Sequence, residues 1–283
     1  MWLRSWITLS VIISLSLVAI FIGFLINASL PFFSNYGVSP LFEAEWYPYE
    51  NLYGFLPALL GSLWVIGLAL LIALPCGLAI AIVSIELVPK PYQAYLNLCI
   101  DILAGIPSVV YGLLGLALLL PWLETQFDLL SGHSLFAAGI LLSAMIVPTI
   151  ARLSQDAFHD IDNSYRETAA NLGLDWSQRL FFVLLPQAWP GIRSATLLAT
   201  GRGLGETIAV MLVVGSIDRL PEPWYNLFSP AQTITSRIGR EMGEATVGGD
   251  QWSALMACGL VLTLIVMLLS IFSHLPKKAQ PYV

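Results

Sequence analysis

Apolar residues in this chain do not alternate with polar ones; they run together. Stretches free of charge cover 5–42, 51–85, 102–123, 129–151 and 251–276. A helix needs roughly 20 mostly apolar residues to cross a bilayer, and each stretch is long enough. A sixth apolar stretch, about 190–216, differs in carrying Arg202 and Glu206 near its middle. The pattern predicts six membrane-spanning helices near 6–28, 58–84, 101–123, 134–153, 190–216 and 253–275, an all-α polytopic membrane protein. The N-terminal run is longer than the apolar core of a signal peptide, and no clear A-x-A site follows it, so it is read as a retained first helix.

Composition agrees. Of 283 residues, 57% are hydrophobic and 11% charged, where an ordinary soluble domain carries about 25% charge. Lysine and arginine set the orientation. Arg4, Lys90, Arg152, Arg166, Arg179, Arg193, Lys277 and Lys278 fall on one side of the six spans; Arg219, Arg237 and Arg240 fall on the other. Both termini and the 154–189 loop are therefore expected in the cytoplasm, the protein being multi-pass among membrane lipid. The outer loops hold Glu43, Glu45, Glu50, Glu124 and Asp128, which accounts for much of the net charge of −6 and gives no reason to expect nucleic acid. Cys76, Cys99 and Cys258 lie in or beside apolar spans and read as small core residues. His133, His159 and His274 are scattered, and no metal spacing appears.

The polar loop before the fifth span has punctuation of its own. Ser164 and Glu167 have capping-box spacing, Gly173 is placed to end a short helix in the left-handed conformation, and Asp175 with Gln178 repeats the start signal. A second helix is expected from about Trp176 to Leu184, with Pro186 and Pro190 breaking the chain before the fifth span. Taken alone, such a pair could simply be an interfacial linker.

The charged pair raises a sharper question. A mid-membrane arginine costs about 2.5–3.5 kcal/mol on insertion scales. Residues four apart share a helix face, so Glu206 is expected to offset Arg202. Small residues surround them, in the rows Ala195–Ala199–Gly203 and Gly201–Gly205, and place the span in the interior. Two readings stand: a structural ion pair that locks the bundle, or an anion-handling site. Arginine keeps its charge at any working pH and its planar fork suits an oxyanion. An enzyme is the remote third. Gly203-Leu-Gly-Glu206 faintly resembles the G-x-G-D of intramembrane aspartyl proteases, but that chemistry needs two close acids, and no second acid lies mid-span.

Glu167, Ala169, Gly173, Val183, Leu185 and Pro186 resemble the EAA…G…I-LP signature of ABC importer permeases, with Thr168 in place of the first alanine and Val183 in place of isoleucine. "LAGIPSVVYGLLGL" (103–116), "GRGLGETIAVMLVVGS" (201–216), "YGFLPALLGSLWVIGLALLIALPCGLAIAI" (53–82) and "QTITSRIGREMGEA" (232–245) resemble the phosphate-specific members, closer to the C-type subunit than to its A-type sibling. The resemblance covers roughly residues 40–275. It implies a type I importer permease fold with a first helix and outer loop (1–52), a permease core (53–276) with coupling helices at about 164–186, and a short tail (277–283). It implies a place in the bacterial cytoplasmic (inner) membrane, inorganic phosphate as substrate, a substrate path at Arg202, Glu206 and Thr207, and a span-three motif at Ile106, Pro107 and Ser108. Pro107 could bend the third span beside the pore or be an ordinary kink. The resemblance implies ATPase coupling through Glu167, Ala169, Gly173, Leu185 and Pro186. The implied partners are a sibling permease subunit in a heterodimer, a dimer of ATP-binding subunits and an extracytoplasmic phosphate-binding protein. The chain has no G-x-x-x-x-G-K-[ST], so it is expected to be no enzyme and to bind no cofactor itself; ATP-Mg would sit on the partner ATPase. The alternatives are a permease for sulfate, molybdate or tungstate, the A-type phosphate subunit, or a secondary transporter or scaffold without an ATPase.

Overall fold

The computed structural model describes residues 2–274, with side-chain surroundings for 5–271; the tail expected at 277–283 lies outside the described residues. The long first helix α1 (Trp2–Tyr36) leads to an antiparallel hairpin, β1 (Trp46–Tyr47) paired with β2 (Leu52–Tyr53). Helix α2 (Leu56–Ile82) continues through a widened turn, Val83–Leu87, and α3 (Lys90–Gly105) follows. Helices α4 (Ser108–Leu114) and α5 (Leu120–Phe127) form one crossing, joined by a second widened turn at Gly115–Leu119. Helix α6 (Leu135–His159) is the central span. The capped pair is α7 (Asn163–Asn171) and α8 (Trp176–Gln178), with a third widened turn, Arg179–Leu184, running into α9 (Leu185–Leu204). Then come α10 (Ile208–Val214), α11 (Ile234–Glu241) and α12 (Asp250–His274). Among the described residues five helices are long and apolar enough to cross a membrane, and Trp176–Leu204 with Ile208–Val214 makes a sixth, bent by 66°.

Four expectations need correction here. The third span does not run unbroken over 101–123. Ile106 is extended, with ψ 126°, and Pro107 starts a new helix at Ser108. A proline crowds the residue before it out of the helical region, so the motif is a break between helices and not a kink inside one. The fifth span is likewise divided, at Gly205–Thr207. Pro186 and Pro190, by contrast, do not break the chain. The helix passes straight through both, because Pro186 follows the turn at 179–184, where bonding shifts from i−4 to i−5 and makes room for a ring with no N–H. Pro89 and Pro121 stand in the same relation to the other two widened turns, each two residues beyond its end. The fourth correction concerns α7: its N-cap is Asp162, not Ser164. The Asp162 carboxylate accepts the Ser164 amide at 2.8 Å, and a charged acceptor two residues upstream outcompetes the hydroxyl.

The core sits where α2, α6, α9 and α10 meet. Val65, Ile66, Leu142, Ile146, Ile150, Leu204, Val210 and Val213 are buried there. Apolar character does not choose the inward face, since lipid-facing positions such as Ile20, Leu71 and Leu118 are as apolar as the core and exposed. Small residues choose it. Ala69, Ala73, Gly77 and Ala81 recur every fourth residue on the buried side of α2, and a Cβ on Gly77 would come within 2.8 Å of Ile150 on α6. A second cluster at the hairpin end joins Phe32, Trp46, Tyr53, Phe55, Ile234 and Leu255. A third at the opposite end joins Phe158, Leu180, Leu184 and Ile192.

One glycine is fixed by a backbone approach. A Cβ on Gly61 would lie 2.0 Å from the carbonyl oxygen of Gln232, whereas one on Gly67 of the same helix meets nothing within 4 Å. Gly61→Ala should lower stability by about 1–3 kcal/mol and loosen the segment that leads into α11. Thermal unfolding of the purified protein should show the drop for Gly61→Ala and none for Gly67→Ala.

Candidate functional site

Two broken spans bring their breaks side by side. Helices α4 and α10 pack in parallel. A Cβ on Gly112 would meet the Ala209 Cα at 3.0 Å, and one on Gly115 would meet Val213 at 2.8 Å. Gly112, one turn beyond Ser108, thus lies beside Ala209, two residues beyond the Gly205–Thr207 break, and the Tyr111 hydroxyl braces the Ile106-Pro107-Ser108 motif by donating to the Leu103 carbonyl at 2.9 Å.

Arg202 lies in the last turn of α9, where a cation is favoured by the helix dipole. Its Nη1 donates to Thr149 Oγ1 on α6 at 2.9 Å, and the residue is exposed on the open side of the bundle. The expected ion pair with Glu206 is absent: among the described residues no salt bridge joins the two. A partner four residues on is close only while the helix continues, and here it stops between them. Glu206 instead serves the second half of the span. Its Oε1 accepts the Ala209 amide at 3.4 Å, at the start of α10, and its carbonyl accepts from Thr235 Oγ1 at 2.8 Å. Glu206 also lines a small cavity with Ser62, Ile66, Gly203, Thr233 and Thr235. Thr207 is half-buried against Gly239 of α11.

Helix α11 was missed in the sequence, where its residues read as outer loop. It dives between the spans: Thr233 and Ser236 make a reciprocal cap at its start, and the Ile234 amide donates to Ser62 Oγ on α2 at 3.0 Å. The signal was present in Thr233-x-x-Ser236 followed by Ile234 and Ile238 on one face. Its far end carries a buried charge network. Arg237 has no exposure; its Nε and Nη2 donate to Asp218 Oδ1 at 3.0 and 2.7 Å, its Nη1 donates to the Gly54 carbonyl at 3.0 Å, and it lies 4.1 Å from the Trp46 ring centroid. Arg240 pairs with Asp218 and Glu241, and Glu241 also accepts from Trp46 Nε1 at 2.9 Å and Gln251 Nε2 at 3.1 Å. The Tyr53 phenol beside this network is pushed up to about 12 by burial. Two of the three arginines at this end, Arg237 and Arg240, are therefore committed to holding loops together.

At the opposite end the capped pair forms much as its punctuation implied. Gly173 takes φ +72°, and Asp175 with Gln178 makes a full capping box. The Ser164 amide and hydroxyl hold the Asp162 carboxyl below the usual carboxylate range, and the Gln178 amide with Ser177 does the same for Asp175. Since both are lowered, the caps are fully formed above the ordinary carboxylate pKa and lost only as pH falls through the lowered values. Glu167, Thr168 and Ala170 face outward, but Ala169 is buried against the bundle. It therefore seats α7 on its own chain rather than offering room to a partner; positions 166 and 169 share the inward face. Leu172, Phe181 and Phe182 are exposed around the pair. Leu185 packs on the buried cluster beneath, and Pro186 is exposed.

A helical bundle with five to six apolar spans, a cation beside a mid-span break and a capped pair at one end is the architecture of a polytopic membrane protein. The chain matches the family model "Binding-protein-dependent transport system inner membrane component" over residues 73–276, and it belongs to that family. It is 40% identical to the "Probable ABC transporter permease protein YqgH" of Bacillus subtilis, across 82% of this chain and 76% of that one. It is 36% identical to the "Phosphate transport system permease protein PstC" of Pasteurella multocida, across 89% and 83%. The crystal structure of a bacterial alginate ABC transporter shares the fold, with a TM-score of 0.65 at 17% identity, covering 95% of this chain and 93% of that one. Of the residues singled out in the sequence, Ala169 is turned inward and Glu206 is parted from Arg202.

Proposed function

We propose that this chain is the C-type membrane subunit of an ATP-driven importer of inorganic phosphate. The observation that carries the reading is Arg202: a guanidinium held by Thr149 beside the broken fifth span, open to the side, and in no salt bridge among the described residues. A permanent cation with a planar fork suits a small oxyanion. Glu206, capping α10 close by, keeps the locus from being purely cationic and so favours release after capture. The relatives named as phosphate permeases support phosphate over other oxyanions.

In this reading a sibling permease subunit covers the open Arg202 face. An extracytoplasmic phosphate-binding protein delivers the anion at the end where the hairpin and the Arg237 network lie. Both termini are cytoplasmic. A dimer of ATP-binding subunits, holding ATP-Mg, receives the outward face of α7, where Glu167 and the neighbouring exposed Leu172 offer a charged and an apolar contact. Closure of that dimer pushes a helix that runs without interruption from Trp176 to Leu204, ending two residues past Arg202. Radiolabelled phosphate uptake in cells with the chain deleted and restored tests the reading. Restoration should return uptake, and excess unlabelled phosphate should compete while sulfate, molybdate and tungstate do not. Competition by one of those three instead would reassign the substrate.

A further inference from the structure

Helix α7 carries, besides its outward face, an inward arginine outside the family signature. Arg166 Nη1 donates to Glu86 Oε1, in the widened turn that ends α2, and Nη2 donates to the Phe158 carbonyl at 3.2 Å, near the end of α6. The Glu86 side chain is 8% exposed and that of Arg166 25%, so this pair is shielded from water in a way that the more exposed Asp101–Arg152 contact is not. Three helices meet at one guanidinium.

Helix α2 is the member of that junction that reaches the transport locus. With its widened turn it is a continuous 32-residue rod, Leu56–Leu87. Twenty residues above Glu86, about 30 Å along a helix, stands Ile66, against which a Cβ on Gly203 would come to 2.6 Å. One turn further, Ser62 holds the start of α11. The cavity beside Glu206 therefore has two walls that answer to the capped pair by different routes. Its α9 wall, Gly203 and Leu204, is joined to α8 by unbroken helix. Its α2 wall, Ser62, Val65 and Ile66, has no such covalent link.

We propose that the Arg166–Glu86 pair is the joint that makes α2 move with α7, so that both walls of the locus shift together when the ATPase acts. Arg166 and Glu86 are then positioning residues for transport, not contacts of the anion. The inference rests on the ATP-driven reading above. A link of this kind changes coupling by about 3- to 30-fold when cut.

The test uses the whole complex in proteoliposomes with the binding protein. Glu86→Gln and Arg166→Gln should each assemble normally and still hydrolyse ATP, while phosphate taken up per ATP falls by about 3- to 30-fold. The exchange Glu86→Arg with Arg166→Glu should recover most of the ratio. An unchanged ratio in the single variants, an exchange no better than the worse single, or losses that simply follow the amount of complex assembled would overturn the joint. A second readout needs no phosphate. A thiol from Thr207→Cys, in a background lacking Cys76, Cys99 and Cys258, should change its labelling rate on adding ATP, and either single variant should abolish the change. A normal ATP response in those variants overturns the joint whatever anion is carried. Failure of the unaltered chain to take up phosphate, with that response intact, overturns only the substrate.

Discussion

Arg202→Gln should reduce phosphate uptake by about 30-fold or more while leaving the complex assembled and its ATPase active. The magnitude follows from the interaction lost. Hydrogen bonds to a charged group contribute about 1.5–3 kcal/mol each, and a guanidinium can offer two in parallel to one oxyanion. Assembly should survive because the side chain is exposed on the open face and its one hydrogen bond, to Thr149, is to a neutral hydroxyl. Arg202→Lys keeps the charge but not the planar fork, and should fall between. Thr149→Val removes the group that aims the guanidinium and should weaken uptake less than loss of the charge does. Uptake by Arg202→Gln at the level of the unaltered chain would remove Arg202 from the path.

Arg237→Ala should be the most damaging substitution for stability, at about 3–5 kcal/mol. The side chain is wholly buried, so its loss leaves Asp218 with Arg240 alone, strips the Gly54 carbonyl of its donor and removes the cation from the Trp46 ring. Exposed Arg219, one residue from Asp218, is the control: Arg219→Ala should change the unfolding midpoint little. Proteolysis of the intact protein should cut the 217–232 segment faster in Arg237→Ala and at the usual rate in Arg219→Ala. Equal midpoints for the two variants would mean that the network is dispensable. Both substitutions remove one outer arginine, so net charge does not explain a difference between them.

The sequence spoke clearly about what is long or locally bonded. Five spans follow from run length alone, and the Gly173 turn and the Asp175 cap follow from side chains that bond within a few residues. Where it misled, a distant or competing interaction decided the outcome. Arg202 and Glu206 looked paired because spacing presumes a continuous helix, and nothing local in "GRGLGET" announces that the helix stops at Gly205. Pro186 looked like a breaker because the widened turn that accommodates it has no residue signature. Helix α11 looked like loop because its apolar face is two isoleucines in eight residues, and its burial is supplied by α12, α10 and α2. Arg237 was counted among surface charges that set orientation, when its partners are 19 and 183 residues away in sequence.

Each widened turn also acts as an insertion written into a helix. One extra residue in a turn rotates everything beyond it by about 100° relative to everything before. The faces of the α4–α5 crossing and of the α8–α9 rod are therefore not continuous stripes. Each changes heading once, just ahead of a proline; in α2 the widened turn is the last one before the chain extends at Val88. A chain one residue shorter at Gly115–Leu119 or Arg179–Leu184 would keep nearly the same composition and hydropathy and still be long enough to cross the membrane. It would, however, turn the segments on the two sides of the window by about 100° against each other and misalign the face that packs on the bundle. For this molecule, residue count in those short windows is as much a part of the fold as residue type.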